Sequence, residues 1–128
     1  MNVYIIVEGE RTEPMVYTAW LSLLAPQLKK LDYADEVQTN NYYLFSACGI
    51  ASIYRHISNA VADINHINSR GKGHYDYLMV CLDTEGETRI ELEKRINEQL
   101  TADKRQLKDT QLVLFEQNIC METWFLGN

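Results

Sequence analysis

Four short apolar runs, NVYIIV at 2–7, YYLFSA at 42–47, YDYLMVCL at 75–82 and QLVLFE at 111–116, alternate with stretches of helical periodicity. No other feature narrows the fold as much. Each run is rich in β-branched and aromatic residues and too short to be a helix, so strands are predicted. Between the second and third, Ile50, Ile53, Ile57, Val61, Ile64 and Ile67 recur three or four residues apart, the stripe of an amphipathic helix. Between the third and fourth, residues 87–108 carry Leu92, Ile96 and Leu100 on one face, with Glu91 four residues before Arg95. That pattern predicts a helix with a solvated outer side, opened by Glu87. After the first run, Pro14 suits an opening helical turn that Thr12 and Glu13 can cap, and Met15, Ala19, Trp20, Leu23, Leu24 and Leu28 follow at helical spacing. ICMETWFL, near the C-terminal end, is expected to begin another helix or turn. The alternation predicts an α/β fold, a four-stranded parallel sheet with helices on its faces.

The chain of 128 residues suits one domain, 1–128, without linker or repeat. No apolar run reaches the ~20 residues of a membrane span, and the N-terminus lacks a signal-peptide pattern, so a cytoplasmic protein with no membrane contact is expected. Cys48, Cys81 and Cys120 are widely spaced and match neither a disulfide framework nor a zinc motif; reduced packing residues are expected. The formal charge of −6 means that any nucleic-acid role needs a local basic patch or bound cations. Motifs for ATP hydrolysis, dinucleotide binding, zinc proteolysis and a serine nucleophile elbow are missing.

Two of the apolar runs end on acid. IIVEGERTEP places Glu8, Glu10 and Glu13 after the first, and Asp83, Thr84 and Glu85 follow the third. Ligands of open parallel sheets bind beyond the carboxyl ends of the strands, where the direction of winding reverses. If the first and third runs are neighbours, Glu8, Asp83 and Glu85 meet at one edge, with Gly9 allowing the chain to turn there. Carboxylates gathered together are relieved by protonation, a basic partner or a hard cation, and Mg2+ (or Mn2+) favours such oxygen ligands. Glu10 and Glu13 are read as capping or surface groups. Lys72 and His74 belong to the opposite end of the third run.

VEGERTEPMVY, LMVCLDTE and NICMETWFL, in this order, resemble the signature blocks of RloB-like proteins, Toprim-type proteins of bacterial restriction and phage-defence loci. VEGE and DTE also resemble the wider Toprim pattern of topoisomerases, primases and overcoming-lysogenization-defect nucleases, a glutamate followed later by Asp-x-Asp. The resemblance runs from residue 3 to residue 126. It implies a Rossmann-like, three-layer Toprim fold with a mainly parallel sheet, and metal-dependent phosphoryl transfer or nuclease action on DNA or RNA. Glu8, Asp83 and Glu85 would be catalytic and hold the metal; Glu122 and Arg11 would be additional site residues, Arg11 as a phosphate contact. Glu85 stands where the Toprim pattern has aspartate, one methylene shorter. The chain ends at Asn128, just after a block that continues in RloB-like proteins, so the resemblance implies either a domain truncated at its C-terminus or a minimal form.

Two other classes fit parts of the pattern. A receiver-like phosphoacceptor domain also has acids after its first strand and an aspartate after its third, but needs a hydroxyl residue and a lysine that LVLFEQN does not supply. A non-catalytic interaction module docking on a partner ATPase is the alternative, and net acidity favours it.

Overall fold

The computed structural model describes residues 1–8, 18, 21–23, 25–47, 53–82 and 88–116, with the side chains of 115 and 116 excepted. Five strands form one sheet: β1 (Val3–Glu8), β2 (Lys29–Leu31), β3 (Asn41–Ala47), β4 (Tyr77–Leu82) and β5 (Gln111–Glu116), in the order β2-β3-β1-β4-β5. Every pairing between them is parallel. Two helices, α1 (Ile53–Ser69) and α2 (Arg89–Ala102), link β3 to β4 and β4 to β5. The architecture is α/β, of the Rossmann-like kind.

The sheet has five strands where four were expected. Lys29–Leu31 has two exposed lysines and no apolar alternation, so nothing local marks it as a strand. Pairing with the start of β3, Lys29 with Asn41 through Leu31 with Tyr43, makes it one. The helix expected over Met15–Leu28 also stops early. Residues 18 and 21–23 are helical, Ala25 N donates to the Leu21 carbonyl, and Pro26 and Gln27 then form a turn. Proline has no N–H to donate and crowds the preceding helical turn, so Leu28 reaches the core from outside the helix.

The winding direction explains where the helices lie. The chain steps from β1 to one side of the sheet, then returns past it from β3 to β4 and β5. Right-handed crossovers in opposite directions cover opposite faces. Accordingly Tyr4 and Ile6 pack with the isoleucines of α1 and with Leu92, Ile96 and Leu100 of α2. Val3, Ile5 and Val7 point the other way, onto Leu21 and Leu28. All six residues of β1 are buried, as a central parallel strand requires.

At the amino ends of the strands, Asn2 ties the sheet together. Its Nδ2 donates to the carbonyls of Gln38 (2.9 Å) and His74 (2.8 Å), its Oδ1 accepts from Asn41 N (2.8 Å), and its own N–H reaches Asp76 Oδ2 (2.9 Å). Beside it, the Tyr75 hydroxyl donates to the Ala34 carbonyl (2.6 Å), and the Tyr4 ring meets those of Tyr43 and Tyr75 edge-on. Burial, with like-signed neighbours adding to it, keeps the phenols of Tyr4 and Tyr75 protonated far above their ordinary range.

Helix α2 was expected over 87–108. Thr88 caps it, its side chain accepting from Glu91 N (3.2 Å). Lys104, at φ 56°, ends it: Lys104 N donates to the Thr101 carbonyl and Arg105 N to that of Leu100, a left-handed closure built without glycine. The closure is pinned to α1, since Ser58 Oγ donates to Asp103 Oδ2 and accepts from Arg105 Nη1 (3.0 Å).

Two predictions follow from these contacts. Gly71 has φ +74° and open space around it, whereas a Cβ on Gly73 would lie 2.0 Å from the Val37 carbonyl oxygen. In urea denaturation, Gly71→Ala should therefore cost about 1 kcal/mol and Gly73→Ala roughly 2–3 kcal/mol; equal losses would refute the close approach. The hydrogen bonds from Ser58 and Gln99 hold the Asp103 carboxyl below its ordinary value. A depressed folded value gives stability that is complete above the unfolded pKa of about 3.9 and disappears as pH falls through the folded one. Wild type should accordingly be more stable than Asp103→Asn at pH 6, and the gap should close below about pH 3 in a series of thermal melts. A gap that persists in acid would show that the carboxylate charge is not its cause.

Candidate functional site

The carboxyl edge is built from the register of the strands. Glu8 pairs with Ala47 of β3, Val7 with Cys81 of β4, and Leu82 with Glu116 of β5. Ala47, Glu8, Leu82 and Glu116 therefore form one row across the sheet. Neighbouring strands lie about 4.8 Å apart, so the backbones of Glu8 and Glu116 are about 10 Å from each other, with Leu82 between them.

Glu8 ends a strand whose other residues are all apolar, and it is only 8 % exposed. Alternation gives it the parity of Tyr4 and Ile6, on the face covered by α1 and α2. Both helices start toward this edge. Asn68, at the far end of α1, accepts from Tyr75 N (2.9 Å) before β4 begins, while Arg89, opening α2, donates from Nη2 to the carbonyl of Leu114 near the end of β5 (2.9 Å). The amino termini of α1 and α2 thus bring the positive ends of their dipoles to the edge where Glu8 sits, which favours a carboxylate there.

Between β1 and β4 the winding reverses, the position at which open parallel sheets bind ligands. Asp83 follows Leu82 directly in the chain. Its side chain, with those of Glu85, Glu122 and Arg11, lies outside the described residues, as do Gly9, Glu10, Glu13, Glu87 and the ICMETWFL segment. Among the described residues, no group of three or more His, Cys, Asp or Glu is placed to hold a metal ion. The donors that the sequence offers at this edge are carboxylates, which suit Mg2+ or Mn2+ and not a thiolate-seeking metal.

Two residues at this edge went unnoticed in the sequence. Glu116 reads as the solvated end of an apolar run, and only its pairing with Leu82 puts it on the row of Glu8. Ser46, paired with Val7, has a buried hydroxyl with no hydrogen-bond partner among the described residues. The one signal for it was a lone hydroxyl near the end of YYLFSA.

Other expectations can be located. Cys81 is fully buried, whereas Cys48 and Cys120 lie outside the described residues. His74 is at the amino rim, where Nε2 donates to the Asp109 carbonyl (2.9 Å), and Lys72 is exposed beside it. His66 is exposed, and His56 packs 5.0 Å from the ring of Phe45. A groove of about 480 Å³ between α1, α2 and the approach to β5 is lined by Ile57, Val61, Ile96, Leu100, Arg105 and Leu112 among others, and no carboxylate among the described residues lines it. No described helix is long and apolar enough to cross a membrane. No family model, curated protein or solved structure matches the chain.

The Ser46 hydroxyl gives a direct test of this edge. Leaving a buried hydroxyl unpaired costs about 1–3 kcal/mol. Ser46→Ala should therefore leave stability in urea unchanged or raise it by about 1 kcal/mol, and a clear loss would reveal a partner for the hydroxyl.

Proposed function

We propose that the carboxyl edge between β1 and β4 is a divalent-metal site of Toprim type, and that the protein is a metal-dependent nuclease or phosphoryl-transfer domain acting on nucleic acid, in a phage-defence setting. One observation carries the reading: Glu8, nine-tenths buried, ends the central strand at the winding reversal, level with the residue that precedes Asp83. A carboxylate in that position is a natural oxygen ligand for a hard divalent cation.

In this reading Glu8, Asp83 and Glu85 hold the ion, with Glu122 as an additional ligand. When bound, Mg2+ or Mn2+ polarises the scissile phosphate and offsets the charge that builds in the transition state. Glu8 is suited to orient or deprotonate the attacking water, as a carboxylate within reach of the ion. Arg11 contacts a phosphate oxygen, where a guanidinium fork fits well. The five-stranded, Rossmann-like sheet is compatible with a Toprim fold, and a partner ATPase would dock elsewhere on the surface.

Calorimetric titration with Mn2+ is the test. Wild type should bind, and Glu8→Gln and Asp83→Asn should each weaken binding by roughly tenfold or more; unchanged binding in both would overturn the metal site. Cleavage of plasmid DNA or RNA that requires Mn2+ and is lost in both variants would support nuclease action. Metal binding without cleavage at any metal concentration would favour the interaction module.

A further inference from the structure

The carboxyl-edge chemistry leaves the groove between α1, α2 and the approach to β5 unused. Its volume of about 480 Å³ lies within the range of small-molecule sites. The floor is apolar, made by Ile57, Val61, Ile96, Leu100, Leu107 and Leu112, which belong to the core beneath or pack against it. Its shape is fixed from three sides. Asn65 of α1 holds the segment before β5, donating from Nδ2 to the Gln106 carbonyl (2.7 Å) and accepting at Oδ1 from Lys108 N (3.1 Å), and Ser58 of α1 holds the end of α2 through Asp103.

Among the described residues, Arg105 is the one charged group that lines this groove. It is anchored at one corner of its guanidinium: Nη1 donates to Ser58 Oγ (3.0 Å) and to Asn59 Oδ1 (3.0 Å), both on α1. Nη2 and Nε have neither a hydrogen bond nor an ion pair among the described residues. Asp103 does not line the groove, and its Oδ2 already accepts from Ser58 and Gln99. After those two hydrogen bonds, Arg105 and Arg55 also lower the Asp103 carboxyl, and Lys104 follows it in the chain, so three cations share this corner with one carboxylate. Around the rest of the groove the charges offset each other or face away. Lys108 is followed by Asp109, Arg95 and Glu98 lie together beside Tyr54, Glu93 pairs with Arg89, and Asp63 faces Tyr43 over β3. The carbonyls of Gln99, Leu100 and Thr101, at the negative end of α2, already accept from the N–H groups of Asp103, Arg105 and Lys104.

We propose that this groove binds a small organic anion with an apolar body, its carboxylate on the free side of the Arg105 guanidinium and its body on the isoleucine and leucine floor. Charge complementarity selects the guest. An anchored guanidinium has lost little freedom that a ligand must still take from it, and its remaining donors match the two oxygens of a carboxylate. A neutral guest of the same shape covers those donors without pairing them, which costs free energy, and a cationic one meets like charge. The apolar floor supplies the affinity and the single cation sets the orientation, the usual division in small-molecule sites. This inference is independent of the carboxyl-edge reading and involves no metal.

Methyl NMR of the full chain, titrated with 2-naphthoate in EDTA, is the experiment. The methyl resonances of Ile57, Ile96 and Leu112 should shift and saturate, while those of Val3 and Ile5, on the other face of the sheet, stay in place. Naphthalene-2-carboxamide, the same shape without the charge, should bind roughly tenfold more weakly. Arg105→Gln should bring naphthoate down to the level of the carboxamide. Because Arg105 also ties α2 to α1, a second variant is needed: Leu107→Trp fills the groove from the loop and should abolish the shifts with the melting temperature maintained. Absence of saturable shifts, shifts confined to other methyls, equal binding of the carboxamide, or normal binding by Leu107→Trp would overturn the proposal. Contacts between the Trp124 indole and these methyls without naphthoate would overturn it in favour of residues 117–128 as the occupant. Methyl shifts that depend on protein concentration, with a dimer on sedimentation, would overturn it in favour of a second copy of the chain.

Discussion

The hydrogen bonding of β1 on both sides governs the rest of the molecule. Because β3 and β4 take up its two edges in parallel, the strand must be apolar on both faces and the chain must leave in one direction and return in the other. Each requirement has a visible consequence. The first makes VYIIV a continuous apolar run, so that the one charged residue of the strand, Glu8, can stand only at its end. The second puts the winding reversal beside that end. A buried carboxylate and a crevice-forming topology therefore coincide because both follow from the central place of one strand.

The sheet fixes the direction of α1 more closely than that of α2. α1 runs against the strands, since Asn68 near its carboxyl end meets Tyr75 before β4 starts. α2 opens with Arg89 on the Leu114 carbonyl, but its end is held elsewhere, where Asp103 meets Ser58 in the first half of α1. The acids of the sequence cluster after β1 and β4, the strands between which the winding reverses.

Much of the fold was legible because it depends on periodicity. QLVLFE is β5 residue for residue, and the isoleucine stripe became the buried face of α1. What was missed depends on partners or on single backbone angles. β2 is a strand only because β3 offers it an edge, and α2 ends at Lys104 in a left-handed conformation that a lysine does not advertise. Pro26 was in plain view, yet the leucines on either side of it continue the helical spacing, and both Leu21 and Leu28 do reach the core. At the candidate site, Glu8 stood out as an acid closing an apolar run. Glu116 and Ser46 did not, since register between distant segments decides their position.

The Asn2 contacts have a consequence for the order of assembly. They join residue 2 to Gln38, Asn41, His74 and Asp76, so this segment finds its partners only after the chain has been made as far as Asp76. Until β4 emerges, nascent β1 is an apolar strand with an open edge, the kind of surface that chaperones bind and that seeds misassembly. Protection of β1 is thus tied to synthesis of β4, and slow translation before residue 82 would lengthen the time for which this apolar segment is uncovered.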